Sequence, residues 1–272
     1  MTAMVKPASA REVEAAETYE RLFVPAEFQD WAPRVAAAAG VRAGQRVLDV
    51  ACGTGVLARE VARLVGPSGS AVGLDPGTGM LAVASRLSPE IEWRHGTADA
   101  LPFDSESFDA VVSQFGLMFF PDRVLALREM TRVLRPGGRM AVAVWDSLEH
   151  TPAYADLVAL IDRVAGRSAG DALRAPFVLG NVESLTALFA SVDIRGATIA
   201  THNGTGQFNS IRTMVEAELR GWFPVAGILL PEHEITSILN EAEQALRRYQ
   251  TPDGRVVFDS PAHIVSASKS YK

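Results

Sequence analysis

Apolar residues along this chain fall into short runs of two different periods. Val47–Val50, Ala71–Leu74, Ile91–His95, Ser107–Ser113 and Met140–Trp145 are brief stretches rich in β-branched and aromatic residues, bounded by Gly, Pro or Asp. Between them, Val56–Leu64, Thr78–Leu87 and the run from Pro121-Asp122 to Leu134 carry apolar residues at helical spacing. Five strands alternating with helices predict a parallel sheet covered by helices. Ahead of this block, Arg11–Leu22 and Ala26–Ala39 predict two helices, the second stopped by Gly40, behind a small, polar arm over Met1–Ala10.

The remainder is less regular. From Asp146 to about Asp193 the pattern is helical, with breaks at Thr151-Pro152, Gly166–Gly170 and Ala175-Pro176. Val192–Thr201 predicts a sixth strand. A helical insertion follows over roughly Ser210–Tyr249, broken at Trp222-Phe223-Pro224 and Gly227. Gly254–Phe258 and Ala262–Ala267 then give a last strand or hairpin arm. The expected organisation is one domain over 1–272: an N-terminal helical arm (1–40), a ligand-binding core (41–146), helical lid insertions (147–192 and 203–250) and the last strands (193–202 and 254–268).

The chemistry concentrates where the first strand meets its helix, at Asp49-Val50-Ala51-Cys52-Gly53-Thr54-Gly55. Gly53 and Gly55 allow a sharp turn and close approach to a ligand, and the following helix presents free N–H groups and a positive dipole end. Such a turn at the carboxyl edge of a parallel sheet is a cofactor mouth. Gly53-x-Gly55-x-x-Ala58, with Asp75 about 20 residues on, satisfies a dinucleotide pattern, which would make the chain an NAD(P)-dependent oxidoreductase. Asp49 points elsewhere. A carboxylate at that strand end repels a diphosphate and suits a cationic group, such as the amine or sulfonium of S-adenosylmethionine.

Val47 to Gly55 resembles motif I of class I S-adenosylmethionine-dependent methyltransferases, in the Ala-Cys-Gly-Thr-Gly form of the ubiquinone/menaquinone-biosynthesis group. Ala51 stands where the general pattern has its first glycine. Gly96-Thr97-Ala98-Asp99-Ala100-Leu101-Pro102-Phe103 is similar to the family's Gly-Asp-Ala-x-x-Leu-Pro-Phe segment, and Leu134-Arg135-Pro136-Gly137-Gly138 to its turn before strand five. The likeness covers about 40 to 146.

It implies a Rossmann-like, doubly wound α/β fold: a seven-stranded, mostly parallel sheet of order 3-2-1-4-5-7-6 with helical lid insertions. It also implies S-adenosyl-L-methionine as cofactor, S-adenosyl-L-homocysteine as product and no metal. Asp75, followed by Pro76, would hold the ribose hydroxyls, with helix capping by Asp75 and Thr78 as the plainer role. Met80 would pack on the adenine face. Thr97, where the family has an acid or amide, or Asp99, would meet the adenine amine, and the Ala98 backbone a ring nitrogen. Tyr19 would close over the methionine end, with Phe23 and Trp31 on the substrate side. Gln114, Phe115, Met118, Phe119 and Phe120 would lie beside the transferable methyl. No catalytic base is assigned: His150 and His202 are the nearest imidazoles, and both suit structural roles. Cys52 suits a small buried filler, and Glu232-His233-Glu234 a helix start after Pro231.

Composition narrows the partners. The chain has 272 residues, 48% of them apolar, and a net charge of −6, which argues against a nucleic acid as partner. Cys52 is the only cysteine, so no internal disulfide can form and the reducing cytoplasm is the expected location. No run has the ~18 apolar residues needed to span a bilayer, and no signal-peptide core is expected. Trp222, Phe223, Ile228, Leu229 and Leu230 make the second insertion apolar. The expected acceptor is therefore a small, largely apolar metabolite, quinone-like, phenolic or lipid-like. A homodimer and a non-catalytic cofactor-binding protein both stay open.

Overall fold

A computed structural model describes residues 7–192 and 194–270. Most of the expected leading arm, and Asp193 at the expected border of the sixth strand, lie outside the described residues.

The strands are β1 (Arg46–Val50), β2 (Ser70–Asp75), β3 (Glu92–His95), β4 (Phe108–Gln114), β5 (Leu134–Trp145), β6 (Arg195–His202), β7 (Thr205–Phe208), β8 (Val256–Asp259) and β9 (Ala262–Ser268). Seven of them form one sheet in the order β3-β2-β1-β4-β5-β9-β6. The first five are parallel, and β9 inserts antiparallel between β5 and β6. The expected strand order is borne out, with the chain's last strand second from the edge. β1 pairs on both edges, and helices on both faces of the sheet leave Val47, Leu48 and Val50 fully buried.

The helices are α1 (Ala10–Leu22), α2 (Ala32–Ala38), α3 (Val56–Val65), α4 (Thr78–Leu87), α5 (Arg123–Val133), α6 (Pro152–Ala165), α7 (Arg167–Arg174), α8 (Val182–Ala190), α9 (Ile211–Glu216), α10 (Phe223–Val225) and α11 (Glu232–Ala245). Ser9 and Glu12 form a capping box that starts α1, Asp122 caps α5 through the Leu125 N–H, and α11 begins at Glu232 directly after Pro231.

Three local differences from the sequence expectation have plain causes. The second helix starts at Ala32 rather than Ala26. A π-helical turn over Val24–Phe28 and a 3₁₀ turn over Gln29–Trp31 take up the intervening chain, because burying Phe28 and Trp31 on the sheet re-aims the backbone. β5 extends back through the Pro136-Gly137-Gly138 turn to Leu134, with a register shift against β4. The second insertion opens with a strand: Thr205–Phe208 alternates exposed and buried residues and pairs with β8 in a separate two-stranded sheet. α1 packs on α4 and on a second π-helical turn, Ala217–Trp222, so arm and insertion meet over the carboxyl edge of the sheet. Among the described residues no helix is long and apolar enough to cross a membrane.

Candidate functional site

A cavity of about 800 Å³ opens at the carboxyl ends of β1, β2 and β4, within the size range of small-molecule sites. Its floor is the β1–α3 loop. Ala51 has φ +59°, Gly53 +55° and Gly55 +92°. The left-handed conformation at Ala51 accounts for the glycine that the general pattern carries there. A Cβ on Gly53 would meet no protein atom within 4 Å, so that side of the loop is open. Gly55 does not itself line the cavity. It is the residue before α3, and a Cβ there would run into the Trp93 ring, so its contribution is conformational.

Asp75 ties the loop to β2. Its Oδ2 accepts the Gly53 N–H at 2.8 Å and its Oδ1 the Gly77 N–H at 2.7 Å. It is 8% exposed. Burial raises its pKa while the Gly77 and Gly53 N–H groups and His95 oppose the rise. It does not cap α4 directly: Gly77 is the cap residue and Thr78 the first helical one. Two N–H bonds leave carboxylate lone pairs for a ligand.

Asp49 behaves differently. It is 2% exposed and lines the cavity, and neither carboxylate oxygen has a hydrogen-bond partner. Its pKa is pushed well up, first by burial and then by the charge of Asp75. The Ala58 backbone N–H opposes this but falls short of a hydrogen bond. An unpartnered buried carboxylate is costly unless something cationic completes it. Cys52 is buried, its thiol donates to the Gly53 carbonyl at 3.7 Å, and burial raises its pKa, the opposite of an activated nucleophile.

The cavity gathers Tyr19, Asp49, Ala51, Cys52, Gly53, Asp75 and Pro76, together with Met80, Thr97, Ala98, Asp99, Gln114 and Phe115. Thr97–Asp99 lie on a loop whose continuation is clamped by α5: Arg132 donates to the Leu101 and Phe103 carbonyls, and Glu129 accepts the Leu101 N–H. Gln114 donates to the Phe28 carbonyl at 3.0 Å and leaves its Oε1 unpartnered.

Phe115, with φ +56°, follows the end of β4, and with it Phe119, Phe120, Trp222 and Ile228 form an apolar rim. Met118 and Phe223 are core residues that do not line the cavity, and Leu229 and Leu230 lie on a different surface groove. Trp31 also departs from expectation: it is buried edge-on against Phe115 and Trp145, behind the wall rather than on the substrate side. His150 has a 57% exposed side chain paired with Asp146, and His202 is exposed; neither lines the cavity.

A second, smaller chamber of about 60 Å³ adjoins the first, and Tyr19, Phe28, Phe115, Phe119 and Trp222 line both. Phe23 lines it too. Phe28, Glu27, Tyr154 and Glu218 were not singled out by the sequence. Their one signal was an acidic residue set among apolar neighbours, as in Val24-Pro25-Ala26-Glu27-Phe28. No group of three or more metal-ligating side chains occurs among the described residues.

The fold is a doubly wound α/β sheet with a ligand-sized cavity at its carboxyl edge. Residues 47–138 match the family described as a methyltransferase domain. The resemblance seen in the sequence is thereby borne out. Among particular relatives, the chain is 40% identical over 148 residues to the demethylmenaquinone methyltransferase of Staphylococcus aureus, covering 52% of this chain and 61% of that protein. The chain thus spans about three fifths of the length of the curated relatives it matches. The YcgJ protein of Bacillus subtilis superposes with a TM-score of 0.59 at 21% identity, over 89% of this chain and 99% of that one. Phosphoethanolamine N-methyltransferase 2 of Haemonchus contortus, solved with S-adenosyl-L-methionine, gives 0.60 at 17% identity, over 94% and 57%. At such identities the likeness speaks to the fold alone.

Proposed function

We propose that this protein is an enzyme that transfers a methyl group from S-adenosyl-L-methionine to a small, largely apolar metabolite. The observation that carries this reading is Asp49: a buried carboxylate with both oxygens unpartnered, facing a cavity at the mouth of β1. A cationic amine or sulfonium would complete it, whereas a dinucleotide diphosphate would be repelled by Asp49. This favours the methyl donor over NAD(P), although the glycine spacing suits either.

The residues present fit that cofactor. Asp75 would accept the ribose hydroxyls with its remaining lone pairs, Met80 would pack on the adenine, and Thr97, Ala98 and Asp99 would border the adenine edge. Tyr19 would cover the methionine end. When bound, the cofactor supplies an electrophilic methyl on a sulfonium. The chain's own contribution is alignment of the acceptor for in-line displacement and exclusion of water by the Phe115, Phe119 and Trp222 rings. The quinone-like, phenolic or lipid-like character of the acceptor is supported by that apolar rim and by the name of the Staphylococcus relative.

Thermal shift tests the reading. S-adenosylhomocysteine should stabilise the protein and NADH should not, and Asp49→Asn should cut the S-adenosylhomocysteine shift sharply. Stabilisation by NADH instead would reverse the assignment. Turnover with an acceptor separates the enzyme from a protein that only binds the cofactor.

A further inference from the structure

The smaller chamber holds an arrangement that cofactor binding leaves unused. Glu27 and Glu218 are 6% and 3% exposed and line a largely aromatic space. Each comes from one of the two π-helical turns, Val24–Phe28 and Ala217–Trp222, a backbone irregularity often found at functional sites. Between the carboxyls stands Tyr154, whose hydroxyl donates to Glu27 Oε2 at 2.9 Å and contacts Glu218. Glu27 Oε1 has no partner. No Lys, Arg or His lines the chamber among the described residues. The titratable groups facing the pair are Tyr154 on α6, Tyr19 on α1 and the two carboxyls themselves.

Two buried carboxyls without a counter-ion are expensive to keep, and a hydrophobic pair of similar size would stabilise the fold more. We propose that this chamber is the acceptor subsite and that its Glu27–Tyr154–Glu218 wall receives a protonated amine carried by an otherwise apolar acceptor. The inference rests on the methyl-transfer reading for the word acceptor, but its chemistry stands on the chamber alone. An ammonium brings several donors to the unpartnered Glu27 Oε1 and the Glu218 carboxyl, while Phe23, Phe28, Trp145 and Trp222 present aromatic surface that attracts a cation. Burial pushes Glu27 up to about 7 and Glu218 up to about 8, so at neutral pH the empty pair retains protons. A cation arriving there favours the ionised carboxylates and expels part of that load.

Titration calorimetry on the full chain at pH 7.5, in two buffers of different ionisation enthalpy, tests this with 2-phenylethylamine and its neutral analogue 2-phenylethanol. The amine should bind at least tenfold more tightly, with a fraction of a proton released per amine bound. Glu27→Gln and Glu218→Gln should each lose tenfold or more in amine affinity, with near-UV circular dichroism reporting native packing. Equal binding of the alcohol, or binding of the amine without proton release, overturns the proposal, and both readouts use the unmodified protein, so they hold even where a variant fails to fold. S-adenosylhomocysteine is titrated separately. Amine binding by a protein that ignores it retires methyl transfer and supports the amine subsite; the converse retires the subsite only.

Discussion

Phe115 and Trp145 lie face to face, their ring centroids 3.7 Å apart and their planes 6° from parallel. The stack joins the end of β4 to the end of β5 and forms the wall between the cofactor-sized cavity and the inner chamber. Trp31 closes its edge from behind, nearly perpendicular to both rings. Trp145→Ala should therefore cost about 3–5 kcal/mol of stability, as for other large buried aromatics. Urea unfolding followed by circular dichroism measures it; a cost under ~1 kcal/mol would mean that the wall is not packed as described.

Gly55 combines a φ of +92° with the Trp93 ring in the space a side chain would take. Gly55→Ala should destabilise by about 2–4 kcal/mol, from left-handed strain and overpacking together. Gly53→Ala shares the positive φ but meets open space, so its fold should suffer less, by about 1–2 kcal/mol. The comparison of their melting temperatures separates steric from conformational cost.

Asp75 holds two backbone N–H groups, so its loss acts on the loop as well as on the ligand. Asp75→Ala should weaken S-adenosylhomocysteine binding by about 1.5–3 kcal/mol, the loss of charge-assisted hydrogen bonds. Calorimetric titration reads this directly, and unchanged affinity would remove Asp75 from the ribose.

Stability should fall with rising pH across the neutral range. Glu27 and Glu218 have folded pKa values of about 7 and about 8, above the ordinary carboxyl value. Between about pH 5 and 8 the unfolded chain has released protons that the folded one retains. The stabilisation is therefore complete below the ordinary carboxyl pKa and is lost as pH passes the folded values, on the order of 3–5 kcal/mol per carboxyl at most. Asp49 shifts in the same direction. His150 does too, but it is 57% exposed and screened. The double variant Glu27→Gln with Glu218→Gln should flatten the slope of melting temperature against pH between 5 and 8; an unchanged slope would assign it to other groups.

Much of the proposed cofactor cavity was legible because it is local in the chain. Ala51–Thr54, Asp75-Pro76, Thr97–Asp99 and Gln114-Phe115 each sit at or just past a strand end, and the parallel order brings strand ends to one edge. Strand runs, glycine turns and the placement of Asp49 report directly on β1 and its loop, since hydrophobic period and turn chemistry act over a few residues. Other positions were not legible. Trp31 looks like any aromatic of a covering arm, and only its packing against Phe115 and Trp145 puts it behind the wall. Thr205–Phe208 is a strand because β8, nearly fifty residues later, offers it a partner.

The amino-acid sequence alone determined the alternation of strands and helices, the open turn after β1 and the acids at the ends of β1 and β2, all consequences of near-neighbour sterics and polarity. Tertiary structure alone decided that Glu27 and Glu218, 191 positions apart, would converge on Tyr154. Their meeting depends on two π-helical turns and on the docking of the arm against the second insertion. The free energy of that docking is spread over many apolar contacts and is encoded in no single stretch of chain.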